Sequence, residues 1–357
     1  MNAVDKKLFS RARRIGASLS TDFVKGSGVY SSSDSWGPEG GLYPAESAWA
    51  LLRLYEVEPE PLYLDGVRRI IENWKSTQFS SGGWALNLGK DGLKFKISEE
   101  EREQSALFPC LPTTAGALRT LADYERLTGD SQYRSIASTA WKFLCGHWDP
   151  KEGTFTEVTP TTGTALRANP RSYDWFFFLA VDSLLKQTCT VSPSTPLTSM
   201  HSSLLRRLQE TLEGYTDISM PLMYGFHVVT LLEHHFWPPI RELIRHKITR
   251  DILENSQFKC PSIKGGHGHH DGRRGIITSE AHLRTAIGWA LAMKAFDEAI
   301  GKPHFTLSEK YSLLTAWIDS MYGDGFYFEF QEDSDQSKHG RGSCGKFLPC
   351  FWILGKI

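Results

Sequence analysis

The apolar stretch NPRSYDWFFFLAVDSLL, residues 169–185, has a proline at its second position. Proline is tolerated in the first turn of a helix, where its missing N–H would have no partner, and poorly tolerated further in. The stretch therefore predicts a helix that begins at Pro170. Because apolar residues lie on all sides of this helix, it is predicted to be buried.

The same pattern recurs along the chain at intervals of roughly 50 to 70 residues, which is the signature of a helical array. Four further apolar segments predict helix starts at Pro44, Pro112, Pro221 and Pro349. A sixth, residues 278–296, offers Thr278 or Ser279 as its N-cap. Between them lie amphipathic segments with one polar face, predicted as outer helices: residues 5–25, 61–78, 131–147, 197–213, 237–256 and 305–322.

This alternation predicts an all-α chain of twelve helices, outer and inner in turn. The links from inner to outer helices are mostly short, whereas five of the six links from outer to inner helices are long. Long loops in compact domains are usually functional. They lead into the N-termini of the inner helices, where free N–H groups and the helix dipole favour negative charge. The functional site is therefore predicted at these N-termini.

Composition excludes several classes of protein. The chain has 357 residues, 40% of them apolar, and a formal net charge of -1, which argues against binding to nucleic acid or anionic membranes. No stretch is apolar and long enough to span a membrane, and the N-terminus lacks the apolar run of a secretory signal. The six cysteines form no CxxC pair, which favours reduced thiols. We expect a soluble, cytoplasmic protein that binds a small molecule, with no cofactor and an oligomeric state left open.

The alternation of helices resembles the (α/α)6 toroid, in which six helical hairpins close into a ring and the active site lies at the inner-helix N-termini. This resemblance covers the whole chain and implies a single toroid domain over residues 1–357. An open helical solenoid that serves as a binding scaffold is the alternative.

Two families with this architecture share short motifs with the chain. The segments QFSSGGW (Gln78, Gly82, Trp84) and HWDPKEGTF (Gly153, Phe155) resemble the QxxxGxW repeat of terpenoid cyclases and protein prenyltransferases, in which the repeat clamps helix ends. The segments LTGDSQYRSIASTAW and GKFLPCFW resemble the hairpins and the closing inner helix of six-hairpin glycosidase-like enzymes, which include hydrolases and epimerases. Where glucoamylase-like enzymes of that group carry a catalytic Glu, this chain has Ser343, Cys344 and Gly345, so that role is not transferred.

Asp174 is the predicted proton donor. Contact with Tyr173, Trp175 and Phe178 would desolvate its carboxyl and raise its pKa, although a helix cap or an ion pair with Arg171 would also explain an acid here. A second carboxylate is expected across the pocket, with Glu280 as first candidate and Glu46 as second, and His282 is a further candidate base. A separation of roughly 6.5 to 9.5 Å would fit an inverting glycosidase and about 5 Å a retaining one.

The other candidates are polar or aromatic residues near the predicted site. Those expected to bind substrate are Glu46, Arg171, Tyr173, Trp175, His227, Arg284, Trp36 and His269. The segment GGHGHHDGRRG, residues 265–275, is interpreted as a flexible lid that contacts an anionic substrate. Its His267, His269, His270 and Asp271 would alternatively bind a divalent metal, but no distant ligand is evident and no metal is assigned. The last long loop holds the acids Asp324, Glu329, Glu332, Asp333 and Asp335, of which one could face the pocket.

The number of polar groups favours an acid/base enzyme that acts on a sugar or a uronic-acid-containing substrate as a hydrolase, lyase or epimerase. The alternative is a terpenoid-type cyclase in which Asp174 protonates an alkene inside an aromatic pocket. A helical scaffold without catalysis is the third hypothesis.

Overall fold

The computed structural model describes residues 3–25, 42–85, 109–156, 170–188, 195–214, 221–234, 238–255, 258–271, 275–323, 325–339 and 343–355. Twelve α-helices lie within these ranges. The amphipathic segments form α1 (Ala3–Lys25), α3 (Pro61–Thr77), α5 (Arg134–Cys145), α7 (Thr195–Gly214), α9 (Pro238–Ile248) and α11 (Glu309–Ser320). The apolar segments form α2 (Leu42–Val57), α4 (Leu111–Thr128), α6 (Pro170–Thr188), α8 (Pro221–His234), α10 (Leu283–Ile300) and α12 (Ser343–Leu354).

Burial separates the two sets of helices. In α4 every residue from Leu111 to Tyr124 is buried. In α3 the buried residues follow one face of an amphipathic helix: Tyr63, Leu64, Gly66, Val67, Ile70, Ile71 and Trp74. The prediction of alternating outer and inner helices is therefore confirmed.

The chain packs as two compact units, one of Gly16–Arg207 and one of Met1–Ile15 with Leu208–Ile357. In the first unit α4 packs against both α2 and α6, and in the second α10 packs against both α8 and α12. The approach of α8 to α10 is close, because a Cβ added to Gly225 would lie 2.2 Å from the carbonyl oxygen of Gly288. Inner helices that follow one another along the chain are thus neighbours within each unit. The prediction of one domain stays a prediction.

Short antiparallel strands occupy the connections from outer to inner helices. After α3, β1 (Trp84–Ala85) pairs with β2 (Pro109–Cys110), and after α5, β3 (Trp148–Asp149) pairs with β4 (Thr154–Phe155). The connection before α10 holds β5 (His269–Asp271), β6 (Gly275–Ile277) and β7 (Glu280–His282). The connection before α12 holds β8 (Tyr322–Gly323), β9 (Phe326–Tyr327), β10 (Phe330–Glu332) and β11 (Lys338–His339).

The segment QFSSGGW clamps helix ends, as its resemblance to the QxxxGxW repeat implies. The side-chain amide of Gln78 donates hydrogen bonds to the carbonyl oxygens of Gly82, at 2.8 Å, and of Ile136 in α5, at 3.0 Å. The indole N–H of Trp84 donates to the carbonyl oxygen of Trp74 in α3, also at 2.8 Å. One turn thereby ties the end of an outer helix to the next outer helix.

Two inner helices begin elsewhere than the sequence predicts. The N-cap of α10 is His282, not Thr278 or Ser279, because residues 280–282 form a strand that pairs with β10. Helix α12 begins at Ser343 rather than at Pro349, which lies inside it. A Cβ added to Gly345 would lie 1.9 Å from the carbonyl oxygen of Tyr327, so close packing against β9 accompanies the earlier start.

Two expectations from composition agree with the described residues. None of their helices has the length and apolar character needed to cross a bilayer. The cysteines described as free thiols are Cys110, Cys145, Cys260 and Cys350.

Candidate functional site

Strands β7, β10 and β11 form an antiparallel sheet that places charged and aromatic residues on one side. The register pairs Glu280 with Glu332, and it pairs Phe330 with both His282 and His339. Side chains alternate between the two faces of a strand. The residues Glu280, His282, Phe330, Glu332 and His339 therefore share one face, which we call the site face.

The opposite face of this sheet is turned toward α11. There, the side-chain oxygen of Gln331 accepts a hydrogen bond from the indole N–H of Trp317 at 2.8 Å. The ammonium group of Lys338 donates to the carbonyl oxygen of Ser320 at 2.6 Å. Since α11 holds that face, the site face is directed away from this packing contact.

His282 is held by both its backbone and its ring. Its N–H donates to the carbonyl oxygen of His267 at 2.8 Å, and its Nδ1 accepts from the backbone N–H of Arg284 at 3.1 Å as the N-cap of α10. The ring packs edge-on against Phe330, with the centroids 4.5 Å apart, and the residue is 7% exposed. Because Nδ1 accepts, a neutral imidazole carries its proton on Nε2. His282 is therefore arranged as a hydrogen-bond donor through Nε2.

Three further groups on the site face lie close together. The Nε2 atom of His339 lies 2.9 Å from Oε1 of Glu332. One side-chain oxygen from each of Glu280 and Glu332 and one ring nitrogen of His339 all lie within 4.8 Å of one another. All three side chains are partly or fully exposed. The site face thus offers two carboxyl groups and two imidazoles, the groups that most often transfer protons in enzymes.

The same three groups have the composition of a site for a divalent cation. Carboxylate oxygen and imidazole nitrogen are both ligands that zinc accepts. The contact between Glu332 and His339 also satisfies both groups as an ion pair or hydrogen bond. The three groups therefore fit either a cation site or an ion pair with a neighbouring carboxylate.

Part of this face was predicted from the sequence. Glu280 and His282 are the candidate bases, and Glu332 belongs to the acidic cluster of the last long loop. Phe330 and His339 were not predicted. A sequence signal for these two residues does exist. Apolar and polar residues alternate in FEFQE, residues 328–332, and a turn and Lys338–His339 follow, which is the pattern of a strand hairpin.

Asp174 lies in the other compact unit and is fully buried. Its Oδ2 accepts a hydrogen bond from Nε of Arg207 in α7 at 2.8 Å, and its Oδ1 accepts one from the hydroxyl of Thr154. The Nη1 atom of Arg207 also donates to the carbonyl oxygen of Glu152 at 2.9 Å. Asp174 thus joins α6, α7 and the β3–β4 turn. The ion pair with Arg207 favours a structural role for Asp174. The predicted ion pair with Arg171, whose side chain lies outside the described residues, and catalysis by Asp174 both stay predictions.

We expect Asp174→Asn to lower the free energy of unfolding by about 3 kcal/mol, because it leaves the largely buried guanidinium of Arg207 without its charge partner. Urea unfolding monitored by circular dichroism measures this loss. The matched control is Glu152→Gln, whose side chain is exposed in the same turn. If Asp174→Asn kept full stability and lost all turnover, the structural role would be wrong and the proton-donor role favoured.

Several predicted substrate contacts are buried. Trp175 and His227 are both 0% exposed, and Glu46 is 7% exposed. Trp175 packs edge-on against Trp49, with the ring centroids 5.9 Å apart. These two side chains are fully buried among other residues in the structure, and their assignment as substrate contacts stays a prediction. Arg284 is half-buried in the first turn of α10.

The remaining predicted contacts lie outside what the structure describes. This holds for residue Trp36 and for the side chains of Arg171, Tyr173 and His269. Their assignment as substrate contacts stays a prediction.

The glycine-rich segment 265–275 is partly a hairpin rather than a loop throughout. Its β5 pairs with β6, and a Cβ added to Gly268 would lie 1.6 Å from the carbonyl oxygen of Ile277. His267 is 2% exposed, and its Nδ1 lies 3.0 Å from the carbonyl oxygen of Gly265. Close backbone packing at Gly268 explains why this part differs from the flexible lid predicted from glycine content. The side chains of His269, His270 and Asp271 lie outside the described residues.

Comparison with known proteins reveals similarity of structure. No model of a protein family and no curated protein matches the sequence. A solved D-mannose isomerase matches with a TM-score of 0.66 and 12% identity over 99% of each chain. A cellobiose 2-epimerase from Spirochaeta thermophila matches with a TM-score of 0.64 and 12% identity over 99% of this chain and 98% of that chain. An unsaturated glucuronyl hydrolase specific for heparin matches with a TM-score of 0.57 and 7% identity over 98% and 96%.

These matches extend over nearly the whole chain. They show that it has the (α/α)6 toroid fold, which is built from six helical hairpins. The predicted fold class and the predicted architectural resemblance are therefore confirmed.

Proposed function

We propose that this protein is an acid/base enzyme that transfers a proton on a sugar, as an epimerase or an isomerase does. The site face carries this proposal, because it brings Glu280, His282, Glu332 and His339 together on one side of a small sheet. Two solved structures with the same fold, named as a sugar isomerase and a sugar epimerase, support it.

Proton transfer on a sugar needs a base and a group that stabilises negative charge on oxygen. In an open-chain sugar, the carbon next to the carbonyl group bears the proton that is removed. The carboxylate of Glu280 takes this proton, the electron pair of the C–H bond forms a C=C bond, and the carbonyl electrons move to oxygen. Nε2–H of His282 donates a hydrogen bond to this oxygen, and a neutral imidazole is suited to that role.

The Glu332–His339 pair supplies the second proton-transfer group. An epimerase returns the proton to the opposite side of the same carbon, and an isomerase returns it to the neighbouring carbon. Both reactions can use an acid that lies near the base and returns the proton to carbon. The ring of Phe330, which packs against His282, keeps one side of this imidazole dry and so strengthens its hydrogen bond to the substrate.

Glycoside hydrolysis is the second candidate, and one distance favours it. Carboxylate oxygens of Glu280 and Glu332 lie within 4.8 Å of each other. Retaining glycosidases place their two carboxyl groups about 5 Å apart, whereas inverting enzymes need roughly 6.5 to 9.5 Å. If the chain is a hydrolase, the expected mechanism is therefore the retaining one.

A single experiment separates these candidates. Purified protein is incubated in D2O with neutral monosaccharides, disaccharides and unsaturated uronides, and the products are analysed by mass spectrometry and NMR. An epimerase or isomerase introduces one deuterium at the carbon that exchanges its proton, and the sugar stays intact. A hydrolase splits the glycosidic bond without deuterium at carbon.

The other hypotheses have their own outcomes in the same screen. A linear polyprenyl substrate is included, and a cyclised hydrocarbon product would overturn the sugar proposal in favour of the cyclase. No turnover of any substrate would contradict the enzyme proposal and favour the binding scaffold.

A further inference from the structure

A concave site lies apart from the site face, in the same compact unit. Its volume is about 470 Å3, and it lies between the segment 259–267 and the first turn of α11. Three lysines line it, Lys259, Lys264 and Lys310, together with the buried ring of His267 and one carboxylate, that of Glu309. We call it the lysine pocket.

The backbone of the lysine pocket is fixed by close contacts. The N–H of Gly266 donates to the carbonyl oxygen of Ile263 at 3.0 Å, and Lys259 forms a β-bridge with His267. Gly265 has a φ of +84°, and an added Cβ there would lie 2.2 Å from the carbonyl oxygen of Leu313 in α11. A site whose backbone is preformed loses less conformational entropy when it binds a ligand.

Positive charge in the lysine pocket is not neutralised. Lys310 is half-buried, and among the described residues its ammonium group forms no ion pair and no hydrogen bond. Burial first, and then the charge of Lys259, lower the pKa of Lys310 to about 8. The carboxylate of Asp333 accepts a hydrogen bond from the backbone N–H of Ser262, which also lines the pocket. An anionic group would relieve the repulsion between the two ammonium groups.

We propose that the lysine pocket binds a small anion, with Lys310 as the central contact for its phosphate or carboxylate group. The pocket is connected to the site face through one hydrogen bond, from the N–H of His282 to the carbonyl oxygen of His267. The proposal does not depend on the proposed function, because binding is measured without turnover.

The test uses the intact chain and three probes: inorganic phosphate, glucose 6-phosphate and gluconate. Isothermal titration is expected to detect binding of at least one probe, with an affinity reduced by about tenfold or more in Lys310→Met, since a charge-assisted contact is lost. Lys302→Met is the control, because Lys302 is an exposed lysine in the same unit. Binding of glucose 6-phosphate alone would identify phosphate as the preferred group, and binding of gluconate alone would identify carboxylate.

A second measurement avoids the variants. The wild-type protein is treated with acetic anhydride in the presence and absence of a probe. Peptide mass spectrometry measures the rates at which Lys310 and Lys302 are acetylated. The probe is expected to slow acetylation of Lys310 several-fold and to leave Lys302 unchanged. Binding is also expected to weaken as the pH rises through about 8, because Lys310 then loses its charge. No binding of any probe, or equal binding by Lys310→Met, would overturn the proposal.

Discussion

Glu280→Gln is expected to lower kcat for proton exchange about 1000-fold, within the range measured for loss of a general base. Gln has the shape of Glu but cannot accept the proton from carbon. The side chain is partly exposed and lies on a strand that is held by backbone hydrogen bonds to β10. The variant is therefore expected to fold normally. The measurement is the rate of deuterium incorporation into the substrate found in the D2O screen.

Glu298→Gln is the matched control for Glu280→Gln, since Glu298 is an exposed carboxylate on α10 in the same compact unit. It is expected to exchange deuterium at the wild-type rate. An unchanged rate in Glu280→Gln would contradict the assignment of Glu280 as the base. Glu332→Gln would then be measured, because its carboxylate is the nearest alternative on the site face.

His282→Asn separates catalysis from helix capping. Asn is one of the preferred N-cap residues, so its side-chain oxygen replaces the acceptor that Nδ1 of His282 provides to Arg284. The imidazole Nε2–H is lost, and kcat is expected to fall about 100-fold. Loss of the ring contact with Phe330 is expected to lower the free energy of unfolding by only about 1 kcal/mol. If the fall in kcat were fully explained by a smaller fraction of folded protein, His282 would instead have a purely structural role.

Acid is expected to destabilise the protein steeply below pH 6.5, because two buried histidines resist protonation in the folded state. Burial lowers the pKa of His227 to about 3. Burial, followed by the charge of Lys310, lowers the pKa of His267 to about 3. In the unfolded chain both titrate near 6.5, so the unfolded state binds more protons between these two values. The stability that neutral His227 and His267 contribute is complete above about pH 6.5 and is lost progressively as the pH falls toward 3.

The expected slope is about 1.4 kcal/mol per pH unit for each histidine, or about 2.7 kcal/mol per pH unit for both, once the pH is well below 6.5. Urea unfolding at several pH values between 7 and 4.5 measures it. Each of the variants His227→Gln and His267→Gln is expected to take up about one proton fewer on unfolding than the wild type, which lowers the slope accordingly. His246→Gln is the control, since His246 is exposed on α9. Equal slopes in all variants would show that these two histidines do not set the acid sensitivity.

The sequence was most informative where the signal is local. Proline in the first turn and apolar residues on all sides predicted inner helices near Pro112, Pro170 and Pro221, and the structure has them there. Pro349 was misread because its helix is held by a contact with Tyr327 in another segment. Thr278 and Ser279 were misread as caps because the strand that displaces them pairs with β10.

The site was harder to predict than the fold. Glu280 and His282 were identified because they stand just before an inner helix, where free N–H groups attract charge. His339 was missed although residues 328–339 have the pattern of a strand hairpin, because that pattern does not show that the hairpin lies beside β7. Asp174 was interpreted as a desolvated acid, but its partners Thr154 and Arg207 belong to a turn and a helix that its own segment does not reveal.

The sequence by itself determined that the chain alternates outer and inner helices and that long connections precede most inner helices. Both properties follow from the spacing of apolar residues and prolines, because helix formation depends on residues that are close together in the sequence. Only the tertiary structure decided which side chains share a face, because strand register joins Glu280 to Glu332 across a long stretch of sequence. A shift of one residue in that register would turn these carboxylates to the opposite face of the sheet, and hydrogen bonds between distant strands are what prevent it.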